Sequence, residues 1–186
     1  MDENIVEQIR KFVEEECKKP SSKYGYEIYP FHFVLVHKYS KLLAEKFKAD
    51  VEIVELAAWL HDVGSIIFGR DDHHLTSAKI AEKKLKELNY SKEKIERVKH
   101  CILNHRGSQL NKRKSREAQI VADADAMTHF DNISGIFMAA FLYENKNQGE
   151  AQDEVREKLI RSYNKISSEA QNLIKPKYNA AMLLLK

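Results

Sequence analysis

His61 and Asp62 stand side by side at the end of an apolar run. Ile53, Leu56, Ala57 and Leu60 recur at the spacing of one helix face, so the pair falls at the end of a buried helix. Buried polar groups are costly unless something pairs with them. A bound cation is one such partner, because imidazole nitrogen and carboxylate oxygen both ligate divalent metals. Other polar residues share the pattern. His32 continues the stripe Leu35, Val36, Tyr39, Leu43. His105 follows Ile95, Val98 and Ile102, and Asp125 lies on the face of Ile120, Val121, Ala124 and Thr128. His74, at the start of another helix, is a further candidate. Singly, each has a plain account as a hydrogen-bonded core histidine or an aspartate bonded to backbone. Together, on successive helices, they point to one interior site, as helix bundles build metal sites from facing helices.

The elements that must position these residues read as helices throughout. A first helix spans about 2–18, with Ile5, Ile9, Phe12 and Val13 on one face. A loop follows from Pro20 to Tyr29, and Pro30 suits the first turn of a helix running to about Phe47. Asp50, Ser91 and Ser115 are expected N-caps, and Gly64 an expected residue just past a helix end. Ser65 to Asp72 and Arg106 to Lys114 read as loops. A helix from about His73 turns Ala78, Ala81, Leu85 and Leu88 inward. Residues 133–186 read as two or three bracing helices, the first with Ile136, Phe137, Ala140 and Phe141 on its apolar face. His37 and His100 fall off the apolar faces, and His129 has no evident partner. No strand pattern occurs, so the fold class is all-α, a multi-helix bundle formed as a single domain over 1–186.

Composition agrees. With 43% apolar residues in a chain of 186, one well-filled core is expected. A net charge of +3 with mixed signs gives no electrostatic case for nucleic acid or membrane. Cys17 and Cys101 have no metal or redox spacing and are expected as free thiols. The acidic N-terminus lacks an apolar region behind it and no run is long enough to span a bilayer, so a cytoplasmic protein is expected.

The order His32 in His-Phe-Val-Leu-Val, His61-Asp62 in Leu-His-Asp-Val-Gly, and Asp125 in Asp-Ala-Asp-Ala-Met resembles the HD-domain superfamily of metal-dependent phosphohydrolases. The resemblance covers about residues 30–130 and implies His32, His61, Asp62 and Asp125 as ligands of one divalent metal. Asp123 competes with Asp125, but the two point to opposite sides of a helix, and the stripe through Val121, Ala124 and Thr128 favours Asp125. Superfamily members with two metals use extra histidines. His74, in His-His-Leu-Thr-Ser-Ala, and His105, in Ile-Leu-Asn-His-Arg-Gly, resemble them, and Asp62 would then bridge. Many members carry arginine where this chain has Leu35. Arg106 and the cluster Lys112, Arg113, Lys114, Arg116 are candidates to meet substrate phosphate instead.

The resemblance implies hydrolysis of a phosphate ester in a nucleotide or another small phosphorylated metabolite. The physics fits, since a cation lowers the pKa of bound water from near 15.7 toward about 7. Asp62 and Asp123 are the candidate catalytic carboxylates, with Asp71 and Asp72 as alternatives to Asp123 for proton transfer. The nitrogen and oxygen donors suit one or two ions of Mn, Fe, Co, Ni, Zn or Mg. Two rival readings keep the metal: a di-iron oxygenase of the same fold, and a non-catalytic metal-binding regulatory domain. A homo-oligomer is compatible with the sequence.

Overall fold

The computed structural model describes residues 4–106 and 113–186. It is all-α: ten α-helices and one π-helical turn, with no strand among the described residues. Lys112 lies outside them.

Helix α1 (Ile5–Lys18) starts where Asn4 accepts the backbone N–H of Val6, and it buries Ile9, Val13 and Cys17. A π-helical turn, Tyr29–Phe33, leads into α2 (Val34–Phe47), with Pro30 in its first positions where no N–H is needed. Helix α3 (Val51–Leu60) is capped by Asp50, which accepts from Ile53 N–H. It is buried nearly all round, from Ile53 through Leu60 save Glu55, and so lies inside the bundle. Helix α7 (Arg116–Thr128), capped by Ser115, is the second interior helix. Its Ala122, Ala124 and Ala126 let neighbouring helices approach closely. Helix α2 packs on both α3 and α7, and α6 (Lys92–Asn104, capped by Ser91) packs on their other side.

Two expectations fail between His61 and His73. The segment read as a loop forms a short helix, α4 (Val63–Phe68), and only the stretch from Gly69 to Asp72 joins it to α5 (His73–Glu87). Gly64 is therefore inside a helix, not beyond the end of one, and its φ is not positive. Its glycine is required by crowding. A Cβ there would meet the Thr76 hydroxyl, the Ser77 backbone nitrogen at 2.6 Å and the His73 carbonyl oxygen at 2.9 Å. The Gly64 N–H also donates to Ser77 Oγ at 2.9 Å, locking α4 to the first turns of α5.

Three helices follow α7: α8 (Ile133–Leu142), α9 (Gln148–Lys165) and α10 (Ser168–Leu184). Helix α9 begins with a capping box between Asn147 and Glu150 and packs on α7 and α8. On α8, Ile136 and Ala140 are buried as expected, but Phe141 is 42% exposed. Both cysteines are free and buried. No described helix is long and apolar enough to cross a membrane.

Candidate metal centre

The break between α3 and α4 is the His61-Asp62 pair itself. His61 ends α3 and Asp62 precedes the first residue of α4. His73 is the first residue of α5, and His105 directly follows α6. His32 lies in the π-helical turn, a local widening that recurs at functional positions. Helix ends therefore bring these side chains together, where the backbone is free of the regular ladder.

Asp62 is at the centre. Its Oδ2 lies 3.4 Å from His32 Nε2 and 3.6 Å from His61 Nε2, and those two nitrogens are 3.1 Å apart. Its Oδ1 lies 3.2 Å from His73 Nε2 and 3.5 Å from His105 Nε2, again with the nitrogens 3.2 Å apart. Two groups of possible metal donors thus share one carboxylate, one oxygen each.

The tautomers are fixed from behind. His61 Nδ1 donates to Ala58 O, His73 Nδ1 to Arg70 O, and His105 Nδ1 to Ile102 O, at 2.8, 2.8 and 2.6 Å. A carbonyl can only accept, so in the neutral ring each Nε2 carries a bare lone pair. Such backbone anchoring is the usual support behind a metal-ligating histidine. At His73, His105 and Asp62 Oδ1, three acceptors then converge with no proton between them. Asp62 Oδ1 is in addition buried without a hydrogen-bond partner. Spacings of 3.1–3.6 Å are those of donors sharing a cation at bonds of about 2.1 Å. The residues present fit a divalent ion in each group, and the donors alone do not choose the element.

Electrostatics agree. His61 is fully buried, and that burial pushes its pKa down to about 4, so the ring is neutral at pH 7. Burial opposes a charge on Asp62, but His61, His105 and His32 around it hold the carboxyl well below the usual carboxylate range.

The other sequence candidates fall differently. His74 belongs to neither donor group. It turns its Nδ1 toward Arg106 at 3.4 Å, and His73 takes the place expected for it. Asp125 faces the same cavity but neither donor group includes it. Its Oδ2 pairs with Lys165 Nζ at 3.1 Å, and His129 Nε2 is 4.0 Å from Oδ1. Burial opposes its charge, yet Lys165 and His129 keep its carboxyl well below the normal range. Asp123 points the other way. It accepts from Gln119 at 2.6 Å and from Ser167 N–H and Oγ at 3.1 and 2.5 Å, tying α7 to the start of α10. Burial raises its pKa, and it does not line the cavity, so it is a structural tie and not a group poised over substrate. Asp71 and Asp72 do not line the cavity either.

Arg113 is also committed elsewhere. Its guanidinium donates to the carbonyls of Asn104, His105, Arg106 and Lys165, bracketing the end of α6 to the end of α9. Arg106 does line the cavity, and Leu35 does not.

The cavity over the site is about 690 Å³, within the range of small-molecule pockets. Asp62, His32, His73 and His105 line it. Tyr24, Phe31 and Tyr143 line it as well, with the Tyr24 and Tyr143 rings edge to face at 5.4 Å. A further part of the lining was not legible in the sequence. It comes from α9, through Lys158, Arg161, Ser162 and Lys165, and from His129, whose Nδ1 shares a hydrogen bond with Ser162 Oγ at 2.7 Å. The available signal was a basic series bordering the apolar stripe Ala151, Val155, Leu159.

The family model for the HD domain matches residues 31–129, and the chain belongs to the HD-domain family. YpgQ of Bacillus subtilis, solved in complex with ADP, is similar in structure: TM-score 0.73 at 24% identity, over 96% of this chain and 89% of that one. An HD-superfamily hydrolase from Bacillus thuringiensis gives TM-score 0.71 at 19% identity, over 97% of this chain and 92% of that one. The Lin1889 protein of Listeria innocua gives 0.72 at 18%, over 97% and 91%. These likenesses are of fold. No curated protein sequence matches the chain.

Proposed function

We propose that the chain is a metal-dependent phosphohydrolase with two divalent ions, acting on a nucleotide or a similar small phosphate ester. The observation that carries this reading is the Asp62 carboxylate, each oxygen of which faces its own pair of Nε2 atoms, with three of the four rings anchored through Nδ1 so that Nε2 is bare in the neutral form. His32, His61 and Asp62 would hold one ion and Asp62, His73 and His105 the other, with Asp125 a further ligand of the first group. Bound divalent ions supply charge to phosphoryl oxygens and make water acidic enough to attack at neutral pH. The chain's own part is positioning. Backbone anchoring fixes three rings before substrate arrives, so no reorganisation is needed at the moment of reaction.

A nucleotide is supported by the residues that line the cavity. The donors line it, and so do the aromatic rings of Tyr24, Phe31 and Tyr143, groups on which a base can stack. The ADP bound by YpgQ supports the same class. Arg106 is retained as a cation facing the phosphate side. A screen of nucleoside mono-, di- and triphosphates, other phosphomonoesters and diesters, with each candidate metal, tests the reading. Turnover that requires metal and vanishes in a folded Asp62→Ala variant is expected. Inertness toward every substrate with every metal overturns it in favour of a binding module.

A further inference from the structure

We propose that helix α9 is the anion-binding side of the cavity, with Lys158 and Lys165 receiving the phosphate chain of the substrate. The identity of the anion rests on the phosphohydrolase reading; the positive wall does not.

Lys158, Arg161 and Lys165 recur at i, i+3 and i+7, one face of a single helix, and all three line the cavity. Their ion pairing differs. Arg161 is already engaged by Glu157 at 3.0 Å and Glu154 at 3.4 Å. Lys165 is tethered to Asp125. Lys158 has neither an ion pair nor a hydrogen bond among the described residues, although it is half-buried and that burial lowers its pKa. A half-buried ammonium without an anion is costly, and it is the kind of group a ligand's charge satisfies. Directly after α7, His129 is spent on Ser162, which leaves Lys158 as the wall's cation without a partner among the described residues, while Lys165 shares its charge with Asp125.

The spacing says more. Residues seven apart on a helix are separated by about 10.5 Å along the axis. Lys165 pairs with Asp125, and Lys158 lies two turns earlier on α9, in the electrostatic field of both Asp125 and Asp62. Two ammoniums on one helix face, in each other's electrostatic field, offer a pair of linked phosphates a cation apiece. The wall is therefore suited to a substrate with two or more linked phosphates.

The test is binding to the full chain in excess chelator, measured by titration calorimetry with inorganic pyrophosphate and orthophosphate as probes. Pyrophosphate is expected to bind more tightly than orthophosphate and to weaken with added salt. Lys158→Gln is expected to weaken pyrophosphate by about tenfold or more, the loss of one charge-assisted hydrogen bond. Lys158→Arg should retain it, and Arg156→Gln, on the exposed side of α9, should change nothing. Lys165→Gln should weaken it as well, with circular dichroism confirming that Asp125 left unpaired has not unfolded the chain. Equal affinity for the two probes, or an unchanged affinity in Lys158→Gln, overturns the proposal. Chelator separates binding from turnover, so a chain that binds pyrophosphate this way yet hydrolyses nothing once each candidate metal is restored would overturn the phosphohydrolase reading and leave the α9 wall standing.

Discussion

His73 and His105 meet Nε2 to Nε2 at 3.2 Å, each with its Nδ1 spent on a carbonyl three residues earlier. Neither neutral ring has a proton to offer the other, and Asp62 Oδ1 faces both. A cation resolves this geometry; a hydrogen bond between neutral rings does not.

The two adjacent histidines should therefore behave differently. His73→Ala is expected to cost one bound metal equivalent per chain and to lower metal affinity at least about 100-fold, beyond the range typical of an outer partner. His74→Ala should keep both equivalents. Elemental analysis of the two purified variants decides it, and equal losses would show that the site is not built on His73.

Gly64 predicts a packing defect that reaches the site. In Gly64→Ala the new methyl meets backbone atoms of Ser77 and His73, which cannot rotate away. The start of α5 must shift, at about 1–3 kcal/mol of stability by urea denaturation. Metal affinity should drop with it, because His73 moves. A variant as stable as the parent would mean that α4 and α5 are not pressed together as described.

Histidine burial gives the pH dependence its sign. An unfolded His61 titrates near 6.5, and in the fold its pKa is pushed down to about 4. The folded chain thus prefers the neutral ring. Stability on the order of 3 kcal/mol is fully present above pH 6.5 and drains away as pH falls through 4. In chelated protein the melting temperature should decline between pH 7 and 4.5, and His61→Gln should flatten that decline. A wild-type melting temperature unchanged over this range would contradict the burial of a neutral His61.

Much of this frame could be read from residue patterns. The caps Asp50, Ser91 and Ser115 lie where short polar side chains precede apolar periodicity, a local signal that needs no tertiary knowledge. His32, His61, Asp62 and His105 were visible as polar residues on apolar faces. Between the adjacent His73 and His74 the resemblance points to His74, and so does the helix stripe, since Ala78, Ala81 and Leu85 stand four, seven and eleven residues after it. What selects His73 is the approach of α4 through Gly64, a contact between segments that periodicity does not contain. Helix α4 itself has six residues, too few for a repeat to show. Asp123 and Arg113 had the right chemistry for the site, but Ser167 and the carbonyls at the ends of α6 and α9 claim them. The α9 lysines were hidden for a simpler reason: on a sequence, a charged helix face turned to a cavity looks the same as one turned to water.

The central claim is that one carboxylate bridges two ions, and metal content measures it most directly. Elemental analysis of the purified chain, after equilibration with a divalent ion and removal of the excess, is expected to give two equivalents per chain. Asp62→Ala should retain neither at full affinity. A wild-type chain that retains one equivalent or none, or an Asp62→Ala variant that retains both, would contradict the account.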